Sequence, residues 1–370
     1  MSKTPLQQLA DHGQSVWLDY LSRDILENGK LERMMERDAV VGVTSNPTIF
    51  QKALSGGSAY DEQLKSLLDR EQDPKEIFLA LSAGDVKDAC ALLRRAWDSS
   101  DHVDGYVSWE VDPDLAYERD ATLAEAQRLH EWIDEPNLYV KIPATEAGVG
   151  AIEDSIAAGR NINVTLIFAL DRYKDVVEAF IRGVERLVED GGDPATVHSV
   201  ASFFVSRVDT EADKRLEAIG TDEALALRGK LAIANAKLAY QHYKETFASE
   251  RWRRLAARGA TPQRCLWAST STKNPEYRDV LYVEELIGHD TVNTMPEETI
   301  EAFQDHGILA DTLETGLDEA SDVFERLRAV GVDYDDVTAT LEREGVQKFS
   351  DSFRELKQGI AEKREVLAPA

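Results

Sequence analysis

The stretch Asn137-Leu-Tyr-Val-Lys-Ile-Pro-Ala-Thr-Glu-Ala-Gly148 passes from strand to helix within a few residues. Leu138, Val140 and Ile142 alternate with Tyr139 and Lys141, which is the period of a strand. Pro143 ends the run, Thr145 is a good N-cap, and the residues from Glu146 open a helix. One face of this strand is purely aliphatic, whereas the other carries a lysine at its C-terminal end. Lysine is rarely buried, because removing an ammonium from water is expensive unless it is paired or neutralised. A lysine held neutral by burial is a nucleophile for carbonyl groups. The competing reading is an edge strand whose lysine sits in water.

Working outward from this unit, the strand–helix alternation recurs. Alternating or β-branched runs predict strands at 15–19, 39–44, 105–111, 160–166, 198–205, 263–270 and 291–295. Helical spacing fills the intervals: 4–12 as a leading helix, 22–37, 49–68, 74–97 with a stop and new cap at Gly84-Asp85, and a stretch through Trp132. It resumes to Ala158, at 170–188, from Asp209 to about Arg258 and through Leu286, then after Pro296 placed in a first helical turn. From Leu317 onward the pattern is helical only. Eight short strands, each followed by helix, give the order of a (β/α)8 TIM barrel with extra helices, including a helical C-terminal extension. A doubly wound open sheet is the runner-up, but it would be expected to carry a glycine-rich first turn, which is missing. The expected organisation is a single barrel domain over 1–370, with a leading helix at 1–14. The C-terminal helices of 317–370 would pack on that barrel, where they could cap it, cover a site or form a dimer contact.

In a barrel, alternate residues of each strand point inward, and the C-terminal ends of the strands carry function. Sending the aliphatic residues outward to the helices leaves an inner set. The set is Ser15, Trp17 and Asp19; Gly42, Thr44 and Asn46; Tyr106, Ser108 and Glu110; Tyr139 and Lys141; Asn161, Asn163 and Thr165; Val200, Ser202 and Phe204; and Trp267 with Ser269. Each of these strands ends on or beside a polar residue: Asp19, Asn46, Glu110, Lys141, Thr165, Ser202 and Ser269. A single such residue is more often a hydrogen-bonded structural polar group, but seven converging on one rim predict a site. A closed barrel also has no edge, which removes the edge-strand reading of Lys141.

Composition narrows the chemistry. The 370 residues are 43% hydrophobic and 30% charged, ordinary for a globular protein. The net charge of −27 argues against nucleic-acid or anionic-membrane partners, both of which need a basic footprint. It also fits a salt-rich cytoplasm. No run approaches a membrane span and the start lacks a signal-peptide core, so a cytoplasmic location is expected. Cys90 and Cys265 read as buried thiols. The seven histidines include no pair at metal-ligand spacing, and no Walker A or Gly-x-Gly-x-x-Gly motif is present, so neither metal nor nucleotide cofactor is expected.

Five stretches together carry a resemblance: Gly42-Val-Thr-Ser-Asn-Pro-Thr-Ile-Phe50, Trp109-Glu-Val-Asp112, Val140-Lys-Ile-Pro-Ala-Thr145, Asn161-Ile-Asn-Val-Thr-Leu166 and Ala268-Ser269. In that order, over most of the chain, they resemble the transaldolases, and the length resembles the longer bacterial branch of the family. The resemblance implies that Lys141 forms a Schiff base with the C2 carbonyl of a ketose phosphate such as fructose 6-phosphate or sedoheptulose 7-phosphate. That attack needs a neutral amine, which burial favours. Glu110 and Thr165 would hold a proton-shuttling water, and Asp19 would be the base acting at the C4 hydroxyl as the C3–C4 bond breaks. The retained three-carbon unit would pass to erythrose 4-phosphate or glyceraldehyde 3-phosphate, with no metal or organic cofactor. Asn46 and Asn163, supported by Thr44, would hydrogen-bond sugar hydroxyls and the lysine region. Ser202 would lie near the three-carbon unit, Phe204 would screen it from water, and Arg207 and Ser269 would bind phosphate. The implied partners are sugar phosphates, for a monomer or homodimer.

The sequence departs from the family pattern after Ser269, where many transaldolases place a second arginine and this chain reads Thr270-Ser-Thr-Lys273. Ser271 and Lys273 are the expected substitutes. An aldolase releasing free dihydroxyacetone shares the lysine, but Glu110, where such aldolases tend to have a neutral donor, favours transfer. A non-catalytic sugar-phosphate-binding barrel should lack the complete lysine, aspartate and glutamate set.

Overall fold

The computed structural model describes residues 3–367 except 56, 57, 69 and 72. Eight parallel strands follow one another around a closed barrel in chain order. They are β1 (Gln14–Leu18), β2 (Val40–Thr44), β3 (Tyr106–Glu110), β4 (Leu138–Pro143), β5 (Ile162–Ile167), β6 (Ser199–Phe204), β7 (Arg264–Ala268) and β8 (Thr291–Met295). The ring closes where Gln14 through Leu18 pair in register with Thr291 through Met295. Lys141 is therefore flanked on both sides, by Glu110 of β3 and Asn163 of β5. The Thr145 hydroxyl accepts the Gly148 amide at 2.9 Å and starts helix Glu146–Ala157, so the stretch around Lys141 folds as its residues predict.

The lower half of the barrel is filled by rings. Tyr106 stacks on Tyr139 at 4.1 Å and Trp17 lies 6.1 Å from Tyr139. A Cβ on Gly42 would fall 2.5 Å from the Trp17 indole, so β2 is glycine there to admit that ring. Beneath them Arg264 pairs with Asp104 at 2.9 Å and donates to Ser15 at 2.9 Å, closing the N-terminal end with a neutralised charge. Above them the inner side chains turn polar.

Several expectations need correction. The parity assigned to β7 is reversed. Trp267 is in register with Phe203 and lies 6.1 Å from its ring, on the side of Tyr173 from helix Leu170–Glu189, whereas Arg264 points inward. Ser269 still faces the mouth because its φ of 56° breaks the strand alternation after Ala268. Helix Pro74–Ser99 runs unbroken through Gly84-Asp85. Asp85 is a buried tertiary acceptor, taking Arg23 Nε at 3.0 Å and the Tyr60 hydroxyl at 2.6 Å, and not a helix cap. The long region from Asp209 divides into Val205–Ile219, Asp222–Leu225, Leu231–Phe247 and Glu250–Ala256, with left-handed Gly220 and Gly229 at its breaks. Within it Asp209 is buried and accepts the Tyr282 hydroxyl at 2.9 Å. After β7 only Leu281–Glu285 is helical before β8, so Lys273 lies in irregular chain; Pro296 caps the next helix from outside it. Likewise 22–37 splits at left-handed Gly29, and 49–68 becomes Pro47–Ser55 and Asp61–Leu68, with 56 and 57 outside the described residues.

The C-terminal region forms helices Leu317–Val330 and Tyr334–Leu367, the final three residues lying outside the description. The second crosses the C-terminal mouth of the barrel. Its Phe353 ring meets Phe78 at 5.6 Å and its Ser352 hydroxyl bonds Thr48 at 2.8 Å. At Gly345 a Cβ would lie 3.0 Å from Leu166, a residue that β5 presents upward through a left-handed φ of 58°.

Candidate active site

The strand termini surround a cavity of about 270 Å³ at this mouth. Its floor and walls include Asp19, Thr44, Asn46, Lys141, Thr165, Ser202, Phe204, Arg207, Ser269, Ser271 and Lys273, so eleven of the thirteen sequence-predicted residues meet in one place. The other two lie just below or behind it. Glu110 is buried behind Lys141, its Oε2 3.6 Å from the amine, and Asn163 occupies the layer beneath, fully buried.

Lys141 is 5% exposed, and its Nζ donates to the Ser45 carbonyl oxygen at 3.1 Å. That bond fixes the amine against β2 while Glu110 approaches from β3. Burial pushes the Glu110 carboxyl up to about 7, with Lys141 pulling it down and Asp19 adding to the rise. Both Glu110 oxygens and the Thr165 hydroxyl are buried without a hydrogen-bond partner among the described residues. Three unsatisfied polar atoms beside a buried amine leave hydrogen-bonding capacity for a small polar molecule. A carboxyl that titrates near neutrality can both give and take a proton there.

Asp19 follows β1, its amide bonded to the Met295 carbonyl at 2.8 Å. Thr44 donates to Asp19 Oδ1 at 2.7 Å, and its oxygen lies 2.7 Å from the Thr294 hydroxyl, so β8 and β2 together orient the carboxylate. Burial raises the Asp19 pKa, an effect opposed by Lys141, the Thr44 hydrogen bond, Arg207 and Lys273. The pattern is two buried carboxyl groups on either side of one buried amine, with Lys141 opposing the burial-driven rise of both carboxyls.

Below the cavity, Ser202 donates to Asn163 Oδ1 at 2.7 Å and Asn163 Nδ2 donates to Ser108 at 3.0 Å. Asn163 thereby ties β3, β5 and β6 together and does not line the cavity. Asn46 uses its Oδ1 to accept the Ile49 amide at 3.1 Å, capping helix Pro47–Ser55, which leaves its amide nitrogen at the cavity wall. On the far side the Arg207 guanidinium lies 4.9 Å from the Phe204 ring centre and 5.9 Å from that of Phe349. Ser269 sits 2.9 Å from the Ser206 hydroxyl, and Lys273 donates to Ser271 at 2.7 Å.

Several lining residues escaped the sequence reading: Thr294, Thr48, Lys52, Glu298, Lys348 and Phe349. Thr294 was accessible, since β8 alternates Val292 and Thr294 on the inner side in register with Trp17. Lys52 is one helical turn beyond Thr48. Lys348 and Phe349 carry no local signal, because only tertiary packing brings the C-terminal helix over the mouth.

The chain matches the family profile described as "Transaldolase/Fructose-6-phosphate aldolase" over residues 16–360. A transaldolase of Frankia alni is 54% identical over 359 residues, covering 97% of each chain. A transaldolase of Acidothermus cellulolyticus is 52% identical over 357 residues, covering 96% of each. A protein named transaldolase 2 of Streptomyces coelicolor is 48% identical over 366 residues, covering 99% of this chain and 98% of the other. With a profile match spanning nearly the whole barrel and relatives alike over their full length, the chain belongs to the transaldolase/fructose-6-phosphate aldolase family.

Proposed function

We propose that this protein is a transaldolase, moving a dihydroxyacetone unit from fructose 6-phosphate or sedoheptulose 7-phosphate to an aldose phosphate in the pentose phosphate pathway. The observation that carries the reading is the Lys141–Glu110 pair, 3.6 Å apart at the base of a mouth whose rim is cationic. The lone pair of Lys141 Nζ attacks the ketose C2, and Glu110 with Thr165 passes the protons that turn the carbinolamine into an imine and water. Asp19 takes the C4 hydroxyl proton as the C3–C4 bond breaks, and the electron pair of that bond moves toward the protonated imine. The aldose phosphate leaves while the three-carbon enamine stays on Lys141. An acceptor aldehyde then takes the enamine carbon, Asp19 returns its proton to the new hydroxyl, and water frees the product. Phe204 and Phe349 shield the enamine, and Arg207, Ser269, Ser271 and Lys273 bind the phosphate. Thr44 and Asn163 act as positioning residues, Asn46 and Ser202 meet the sugar, and the barrel with its C-terminal helices works as one unit.

Borohydride reduction in the presence of fructose 6-phosphate should add the mass of a reduced three-carbon unit to Lys141. Absence of label, or label on another lysine, defeats the mechanism. Omitting erythrose 4-phosphate should nearly stop turnover; turnover that ignores the acceptor would make the protein an aldolase.

A further inference from the structure

The cationic rim is larger than Arg207 and Lys273. Lys52 from helix Pro47–Ser55 and Lys348 from helix Tyr334–Leu367 line the same cavity. In a chain with 69 acidic and 42 basic residues, a surface lysine is normally close to a carboxylate. Among the described residues none comes within ion-pairing distance of Arg207, Lys273, Lys52 or Lys348. The acids of the cavity are Asp19 on its floor and Glu298 on its wall.

The placement of Lys348 is set by helix geometry. Gly345, Lys348, Phe349 and Ser352 recur at spacings of three and four, which puts them on one face. The two outer members touch the barrel, Gly345 against Leu166 and Ser352 through its bond to Thr48, so Lys348 between them faces the mouth. Phe349 beside it packs on the Arg207 side, its ring 5.9 Å from the guanidinium. Arg207, with burial, Lys273 and Lys52, depresses the Lys348 pKa, as expected when like charges crowd one point.

We propose that Lys348 and Lys52 are phosphate ligands, completing with Arg207 and Lys273 a four-cation site that spans three helices and a loop, and that the C-terminal helix is thereby part of the substrate site. This rests on the sugar-phosphate reading above. Four converging cations repel one another, and a phosphate dianion offers three oxygens that relieve the repulsion through charge-assisted hydrogen bonds. Because the ligand bridges the C-terminal helix to the barrel, its binding also holds that helix down.

Titration of inorganic phosphate into the full-length protein reads the cation site without any chemistry. Lys348→Met and Lys52→Met should each weaken phosphate binding about tenfold. They should raise KM for fructose 6-phosphate by a similar factor while kcat changes much less. Lys348→Arg should restore most of the affinity. Borohydride labelling of Lys141 by dihydroxyacetone, which has no phosphate, should match that of the unaltered protein. Hydrogen exchange of residues 345–352 should slow with phosphate in the unaltered protein and not in Lys348→Met. Unchanged phosphate affinity in both methionine variants overturns the proposal, as does an equal loss of dihydroxyacetone labelling, which would mark a merely structural lysine. If the unaltered protein fails to label at Lys141, the catalytic reading falls, yet the phosphate titration still decides the cation site.

Discussion

Glu110 holds its proton at a pH where an ordinary glutamate has lost it. Burial moves it from the usual 4.5 to about 7. Between those values the folded protein binds more protons than the unfolded chain, so stability falls as pH rises through that window and the loss is complete above it. The size is on the order of 3 kcal/mol, the attraction of Lys141 being already contained in the value of about 7. Glu110→Gln removes the titration, so the variant should be the more stable of the two in urea at pH 8 and should lose that advantage near pH 5. If Glu110 carries protons as proposed, kcat should drop by about a hundredfold or more, with label still accumulating slowly on Lys141. A stability difference independent of pH would contradict the assignment. The identity of these residues was legible in the sequence because polar groups interrupt aliphatic strands at one end. Their states were not, since a pKa depends on which charges the fold brings together.

The strands show where alternation works and where it stops. For β1 to β6 it identified the inward side chains, because aliphatic residues must face the helices in a closed barrel. At β7 two anchors misled it: Ser269 leaves the strand in a left-handed turn, and bulky Trp267 belongs outside with Phe203 and Tyr173. Gly42 is the sharpest test of the inner packing. Gly42→Ala would push a methyl group into Trp17, with no room in a layer already closed by Tyr106 and Tyr139. The expected destabilisation is about 2 kcal/mol, read as a lower urea midpoint with unchanged slope. An unaffected midpoint would mean that the indole can move aside. Helices were harder to delimit, as at Asp85, because a side chain that accepts Arg23 and Tyr60 from distant segments looks like a cap in one dimension.

At the scale of the whole molecule, the C-terminal helix was legible as a helix, but covering a site was only one of three places the sequence left open for it, since its packing partners Thr48, Phe78 and Leu166 lie far earlier in the chain. The charge distribution has a further consequence there. The exterior is strongly acidic, with networks such as Arg251 bridging Glu178 and Glu185 only partly offsetting the net charge of −27. Raising the ionic strength from about 0.1 M to 1 M shortens the screening length from about 10 Å to about 3 Å, which weakens this self-repulsion. Isolated exposed pairs contribute little, so their screening should not reverse the gain. The melting temperature should therefore rise with potassium chloride. The rim works in the opposite sense: Arg207, Lys273, Lys52 and Lys348 attract a dianion, and screening weakens that attraction. KM for fructose 6-phosphate should climb over the same salt range in which the protein becomes harder to melt. The slope of log KM against log salt should be shallower in Lys348→Met, which has one fewer cation to screen. Parallel slopes in the two proteins would place Lys348 outside the field that the substrate feels.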